Sequence, residues 1–205
     1  MTRKIDAMVP ELVILHELFG AATHEASAAM CRWTNGLITL SLDEVREIPL
    51  ESVCQELDWA HELVTMVVLS LPGDVGGEMI LTFDEANGRR LAAALLGREP
   101  KFDGEWTALE KSALTETGNI LGCAYMNALT RLVGVELVPS PPYFVQDYGA
   151  SVLQQALVSQ AMTCDQALIC RTAFRRADEE LNWNVFFLPT LALRKRMEDA
   201  LHSTT

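Results

Sequence analysis

The chain has 205 residues, 49% of them hydrophobic and 21% charged, which is typical of a globular protein and excludes a disordered one. A formal net charge of -12 opposes binding to nucleic acid, whose phosphates require a basic surface, and to anionic membranes. No apolar run approaches the length of a membrane span, and the first residues lack the apolar core of a signal peptide. We therefore expect one cytoplasmic globular domain.

The cysteines and histidines predict neither disulfides nor a metal site. Five cysteines are an odd number, and none forms a CxxC pair, so we expect buried, reduced thiols. The four histidines lack ligand spacing, and surface or core positions are the simpler interpretation. These residues are Cys31, Cys54, Cys123, Cys164, Cys170, His16, His24, His61 and His202.

Residues 7–97 predict a long helix, a strand, a short helix, a hairpin and a closing helix. Pro10 suits the first turn of the long helix, and Asn35-Gly36 is typical of a helix end. Asp84 is expected to cap the closing helix, which runs to Leu96. The other predicted bounds are 7–34 for the long helix, 37–40 for the strand, a chain break at Pro49, 50–57 for the short helix, and 61–71 and 78–83 for the hairpin.

A second long helix is predicted over 105–133, because this stretch lacks proline and its apolar residues recur at helical spacing. Its expected core face consists of Leu109, Ala113, Leu114, Ile120, Leu121, Ala124, Ala128 and Leu132. The elements predicted after it are a strand at 135–138, an extended segment at 143–146, a short helix at 150–162, a hairpin of 165–175 and 183–188 around the turn 176–181, and a helix that starts at Pro189.

The order of elements therefore occurs twice, which predicts an internal duplication with repeats at about 7–97 and 105–202. An offset of 99 residues pairs Glu17 with Glu116 and Arg32 with Arg131. Two such halves predict an α/β protein, strictly α+β, with pseudo-twofold symmetry and two long helices packed on a β-sheet.

A polar row accompanies the core face of the second long helix. Ser112, Glu116 and Asn119 have helical spacing and fall within about 60° of one another. Any amphipathic helix has polar residues on its wet side, which is the simplest interpretation of such a row. Gly118 and Gly122 nevertheless each cost about 1 kcal/mol in a helix interior, which suggests that something approaches the backbone here. An amide can donate and accept hydrogen bonds at once, so Asn119 is suited to orient a water molecule.

The predicted duplication provides an internal control for this row. The first repeat has Val13, Glu17 and Gly20 at the equivalent positions, so it retains a carboxylate but lacks the hydroxyl and the amide. If the row were only a solvent-exposed polar surface, both copies should keep comparable residues. We infer that the second repeat carries a site and that Glu17 and Gly20 mark a degenerate first site.

The motif S/D-x3-E-x2-N with a distant proline resembles the signature of the CheC/CheX/FliY phosphatases of bacterial chemotaxis. Here it consists of Ser112, Glu116, Asn119 and, after 22 intervening residues, Pro142. The segments ETGNILGCAYMNAL and VPSPPYFVQDYGASVL resemble the CheC members more than the others. The resemblance covers nearly the whole chain, and the departures are confined to the first repeat.

The resemblance implies a phosphatase that hydrolyses the aspartyl phosphate of a CheY-type response regulator. It implies that Asn119 orients the attacking water, that Glu116 pairs with a lysine of the receiver, and that Ser112 and Pro142 support them. The receiver domain supplies Mg²⁺, so no cofactor of the chain's own is expected. A phosphorylated CheY-like receiver is the implied partner. A CheD-like deamidase is a second one, with its contact expected at 150–157, and a homodimer stays open.

Two other functions compete with phosphatase activity. The chain is alternatively a non-catalytic adaptor that binds a phosphorylated receiver or a CheD-type deamidase without hydrolysis. A purely structural role would resemble the flagellar-switch relatives, which share the fold but lack the polar row; the intact Ser112, Glu116 and Asn119 oppose this interpretation.

Overall fold

The structure is a computed structural model that describes residues 10–49, 52, 63–148, 151, 166–176 and 179–204. Apart from residues 52 and 151, the two predicted short helices lie outside the described residues. The helices and strands of the described part are α1 Pro10–Trp33, β1 Thr39–Pro49, β2 Leu63–Leu71, β3 Gly77–Phe83, α2 Glu85–Leu95, α3 Ala108–Val133, β4 Tyr143–Tyr148, β5 Gln166–Arg176, β6 Glu179–Pro189 and α4 Leu191–Thr204.

The six described strands form one antiparallel sheet in the order β1-β5-β6-β3-β2-β4. Each predicted repeat contributes three of these described strands, and the strands of the two repeats are interleaved in the one sheet. This order is symmetric. If β1 is exchanged with β4, β2 with β5 and β3 with β6, the same order results when the sheet is followed from its opposite edge. A duplicated chain would have this symmetry, and the duplication itself stays a prediction.

The two long helices, α1 and α3, pack against each other and against the sheet. Their contact includes the rings of Phe19 and Tyr125, whose centroids are 5.0 Å apart. Sheet residues such as Val67 and Trp183 complete this core. A second buried apolar cluster, which includes Met66 and other strand residues, alternates with the first along β2. The α+β class with two long helices on a sheet is therefore confirmed.

Helix α3 begins later than predicted and buries a different set of residues. Thr107 caps it and forms a capping box with Glu110, so the helix starts at Ala108 and not at 105. Gly134, in the left-handed conformation, ends it. Leu109 is predicted to lie in the core, but 60% of its surface is exposed, so this prediction is wrong. The reason is its phase: Leu109 lies about 180° around the helix from Gly118, which faces the sheet.

Two strand predictions are wrong, one because strand pairing extends the strand and one because prolines prevent it. The strand predicted at 37–40 continues as β1 to Pro49, since it pairs with β5 over its whole length despite an irregularity between Leu42 and Glu44. Pro49 is tolerated because β1 is an edge strand and needs no donor on its outer side. The strand predicted at 135–138 is absent, and residues 136–142 form a loop rich in proline.

The second hairpin and the last helix also differ from their predicted bounds. β5 and β6 extend to Arg176 and from Glu179, so the turn is shorter than the predicted 176–181. Pro189 ends β6, where it pairs with Gly77, instead of starting a helix. The last helix follows Thr190, whose hydroxyl oxygen accepts a hydrogen bond from the Leu193 N–H at 3.3 Å.

Candidate active site

The polar row of helix α3 lies at the surface. Ser112 and Glu116 are exposed, and Asn119 is half-buried. All three belong to one unbroken helix, so their spacing is fixed by the helical repeat. A carboxylate and an amide are therefore available together to another molecule, with the amide partly held by its surroundings.

The two glycines beside Asn119 set the distance between α3 and the sheet. A Cβ added at Gly118 would lie 2.5 Å from Cγ1 of Val67, and one at Gly122 would lie 2.7 Å from Cδ2 of Leu69. Both neighbours belong to β2. The close approach expected from these glycines is therefore made by the protein's own sheet, and the glycines give no support for an external ligand.

Cys123 joins the row as a residue that the sequence pattern did not single out. Its Sγ donates a hydrogen bond to Oδ1 of Asn119, with the two atoms 3.5 Å apart. Burial, together with the negative charge of Glu116, raises the pKa of the Cys123 thiol. The available signal was its position four residues after Asn119, where it lies on the same side of the helix.

The thiols are less buried than predicted. All three described cysteines are free, but only Cys170 is buried, while Cys31 and Cys123 are half-buried. Cys54 and Cys164 lie outside the described residues.

The loop that carries Pro142 is tied to the flank of α3 on which the row lies. Thr130 falls within about 60° of Asn119 around the helix, and its Oγ1 accepts a hydrogen bond from the Leu137 N–H at 3.0 Å. Further along, the Ser140 N–H donates to the Ser70 carbonyl at the end of β2 at 2.7 Å. Pro142, half-buried, follows two residues later and directly precedes β4.

The positions that the predicted duplication pairs with this row are also at the surface. Val13 and Glu17 of α1 are exposed, and Gly20 is half-buried. A Cβ added at Gly20 would meet no atom within 4 Å. The first repeat therefore has room for a side chain where the second has Asn119, but it lacks the amide.

Within the described ranges, no group of three or more His, Cys, Asp and Glu side chains is arranged to hold a metal ion. None of the helices in the described part combines the length and the apolar character needed to cross a membrane. The region where a deamidase contact is expected, 150–157, falls outside the described part except for Ser151.

Comparison with known proteins gives relatives in sequence and in structure. No protein-family model matches the chain. The chain is 25% identical to the CheY-P phosphatase CheC of Bacillus subtilis over 184 residues, which cover 87% of this chain and 88% of the relative. It is 22% identical to CheC1 of Halobacterium salinarum over 152 residues, which cover 74% and 76% of the two chains.

Three solved structures share the fold. FliY of Thermotoga maritima matches with a TM-score of 0.71 at 17% identity, over 97% of this chain and all of that one. The FliM middle domain of Helicobacter pylori matches at 0.66 and 12%, over 92% and 97%. A chain of the CheX–CheY–BeF₃–Mg²⁺ complex of Borrelia burgdorferi matches at 0.53 and 23%, over 83% and 96%.

The sheet and the two long helices thus have the fold of the FliY, FliM and CheX structures, and the similarity in sequence to CheC supports the CheC/CheX/FliY class that the motif predicted. Within that class, the relationship detected in sequence is to CheC proteins, and it extends over most of both chains.

Proposed function

We propose that this protein is a phosphatase that hydrolyses the aspartyl phosphate of a CheY-type response regulator. The observation that carries the proposal is the joint accessibility of Glu116 and Asn119 on one flank of a helix held rigidly on the sheet. The name of the Bacillus relative and the complex of the Borrelia CheX with CheY support the same substrate class.

The proposed role of Asn119 is to place the attacking water. Phosphoryl transfer depends mainly on positioning and on stabilising charge, and a receiver domain already holds its acyl phosphate. A partner therefore needs no nucleophile of its own, but it must hold a water in line with the phosphorus. The neutral amide of Asn119 is suited to this task because it offers both an acceptor and donors.

The remaining residues of the row are proposed to dock and support the substrate. Glu116, exposed and negatively charged, would pair with a lysine of the receiver. Ser112 extends the row by one turn, and Pro142 shapes the loop tied to the same flank. The Mg²⁺ ion belongs to the receiver, where it neutralises charge on the phosphoryl group.

We further propose that the chain has one such site, on α3 in the second repeat. The first repeat has Gly20 in place of the amide and Val13 in place of the hydroxyl, although its surface is open. Glu17 alone retains the chemistry of the row, and a carboxylate without the amide cannot place the water. The two repeats therefore provide matched variants for an experiment.

The test measures the lifetime of the phosphate on a purified CheY-type receiver, with and without this protein. We expect the wild type to shorten the lifetime and Asn119→Ala to lose at least about 100-fold of that effect, because the water is no longer held. Glu116→Gln should lose roughly tenfold or more, since the docking charge is gone. Its matched control, Glu17→Gln, should behave like the wild type.

Three results would contradict the proposal. If Asn119→Ala dephosphorylated the receiver as fast as the wild type, the mechanism would be wrong. Equal losses in Glu17→Gln and Glu116→Gln would refute the single site. Tight binding of the phosphorylated receiver, or of a CheD-type deamidase, with an unchanged phosphate lifetime would instead identify a non-catalytic adaptor.

A further inference from the structure

We propose that Cys123 is a positioning residue that holds the amide of Asn119 in one orientation for the hydrolysis. The observation behind it is the hydrogen bond from the Cys123 thiol to Oδ1 of Asn119, across 3.5 Å and one turn of α3. The inference rests on the phosphatase function proposed above, and it adds to the row a residue that does not itself touch the substrate.

The chemistry of the two groups determines which end of the amide is held. An S–H group is a donor, and Oδ1 is the acceptor end of the Asn119 side chain, whereas its NH₂ group only donates. With the thiol donating to Oδ1, Nδ2 is turned away from Cys123, and the flipped amide would have only the sulfur, a weak acceptor, for its N–H. A carbonyl oxygen has two acceptor sites, so Oδ1 retains one for a water, and the two NH₂ donors are not used by the bond to Cys123.

The thiol keeps its proton under the conditions in which it must donate. Burial and the neighbouring charge of Glu116 both raise the pKa of Cys123 above its usual value, which is already above neutral pH. A thiolate at this position would repel Glu116 and could not donate to Asn119. The exposed carboxylate of the row thus also maintains the donor that orients the amide.

A half-buried cysteine can also serve only to fill space, and the first repeat distinguishes the two interpretations. Counting by the offset of 99, Asn119 and Cys123 correspond to Gly20 and His24. His24 is exposed, and Gly20 has no side chain for it to hold. The amide and the thiol are therefore present together on α3 and absent together on α1, which fits a pair that acts as a unit.

The kinetic test compares Cys123→Ala with Cys31→Ala, which removes a half-buried thiol from α1. We expect Cys123→Ala to lower kcat about fivefold with KM unchanged, as for the loss of one modest hydrogen bond. Cys31→Ala should match the wild type. In the Asn119→Ala background, Cys123→Ala should cause no further loss, because the thiol acts through the amide. An unchanged kcat, or a full additional loss in that background, would overturn the proposal.

A second measurement does not depend on activity. The NMR order parameter of the Asn119 side-chain NH₂ group, a signal identified by its disappearance in Asn119→Ala, reports how firmly the amide is held. We expect it to fall in Cys123→Ala and to stay at the wild-type value in Cys31→Ala. If the wild type fails to shorten the phosphate lifetime but this change is seen, the phosphatase function fails while the orienting bond stands. An order parameter unaffected by Cys123→Ala refutes the positioning role whatever the activity.

Discussion

Gly118 of helix α3 lies directly on Val67 of strand β2, with no room for a side chain between them: a Cβ at Gly118 would be 2.5 Å from Cγ1 of Val67. Asn119 is the next residue, so the depth at which α3 lies on the sheet also fixes the position of the amide. Val67 is fully buried, and its branched side chain cannot swing into solvent to make space. Packing inside the fold thus determines how far the polar row projects from it.

We predict opposite effects on stability for the same substitution at two helical glycines. Gly118→Ala should lower the free energy of unfolding by about 1–3 kcal/mol, because the added methyl group overpacks against Val67. Gly20→Ala should raise it by about 0.5–1 kcal/mol, because alanine favours the helix and the space is open. Urea unfolding of both variants measures the difference. Equal stabilisation by the two substitutions would contradict the close packing of α3 on β2.

The bond between Thr130 and Leu137 predicts that the first part of the loop carrying Pro142 is held by the Thr130 hydroxyl. Thr130→Val should leave the Leu137 N–H without its acceptor, cost about 1 kcal/mol, and weaken the effect on the receiver's phosphate lifetime. Hydrogen exchange at the Leu137 amide should accelerate. Thr115→Val is the control, because the Thr115 hydroxyl bonds only within its own helix. Unchanged exchange at Leu137 in Thr130→Val would disprove the anchoring.

The buried carboxylate of Glu110 predicts a specific dependence of stability on pH. Burial alone would raise the pKa of Glu110, but hydrogen bonds from Thr107 and the charges of Arg98 and Arg89 bring it below the usual 4.5. A carboxyl whose folded pKa is lowered stabilises the fold above its unfolded pKa, and this contribution is lost as pH falls through the folded pKa.

Glu110→Gln should therefore be less stable than the wild type at pH 7, by about 2 kcal/mol, because the buried Arg89 loses a charged partner. The difference should shrink as pH falls below about 4.5, the unfolded value, since the wild-type carboxyl then becomes neutral as well. Urea unfolding at several pH values measures it, with the exposed Glu105→Gln as control. A difference that stays constant down to acid unfolding would exclude this role for Glu110.

A chain of three buried hydroxyls joins both long helices to the sheet. Thr23 uses its only proton on the Phe19 carbonyl at 2.7 Å, so the Tyr125 hydroxyl must donate to Thr23 at 2.9 Å. Thr172 in turn donates to Tyr125 at 3.0 Å. Tyr125→Phe should cost about 1–3 kcal/mol in thermal or urea unfolding, because two buried hydroxyls lose a partner. Tyr148→Phe, at an exposed site, should cost little, and an equal loss there would contradict the network.

The periodicity of the sequence determined the two long helices, and local residues indicated some of the helix ends. The Asn35-Gly36 pair and Asp84 act locally, and each occurs at the helix end where its own geometry predicts it. The row of Ser112, Glu116 and Asn119 is also a local property, because the helical repeat alone puts these residues on one side. For the same reason the family motif is recognisable in the amino-acid sequence alone.

Features that depend on a distant partner, such as the length of β1 and the buried side of α3, could not be predicted. β1 extends to Pro49 because β5 pairs with it, although polar residues such as Glu44 and Arg46 weaken the local strand signal. Leu109 has the spacing of a core residue, but periodicity does not reveal which side of the helix faces the sheet. The duplication, predicted from the order of elements, agrees with the symmetric strand order but stays a prediction.

The sequence by itself therefore determined the helices, the polar row and the family it resembles, all of which depend on residues within a few turns of one another. Only the tertiary structure decided what the glycines beside Asn119 are for and that Cys123 belongs to the row. The physical reason is that a glycine in a helix indicates close packing, but the sequence does not show which group packs against it. Likewise, the hydrogen bond of the Cys123 thiol to Asn119 is visible only in the tertiary structure.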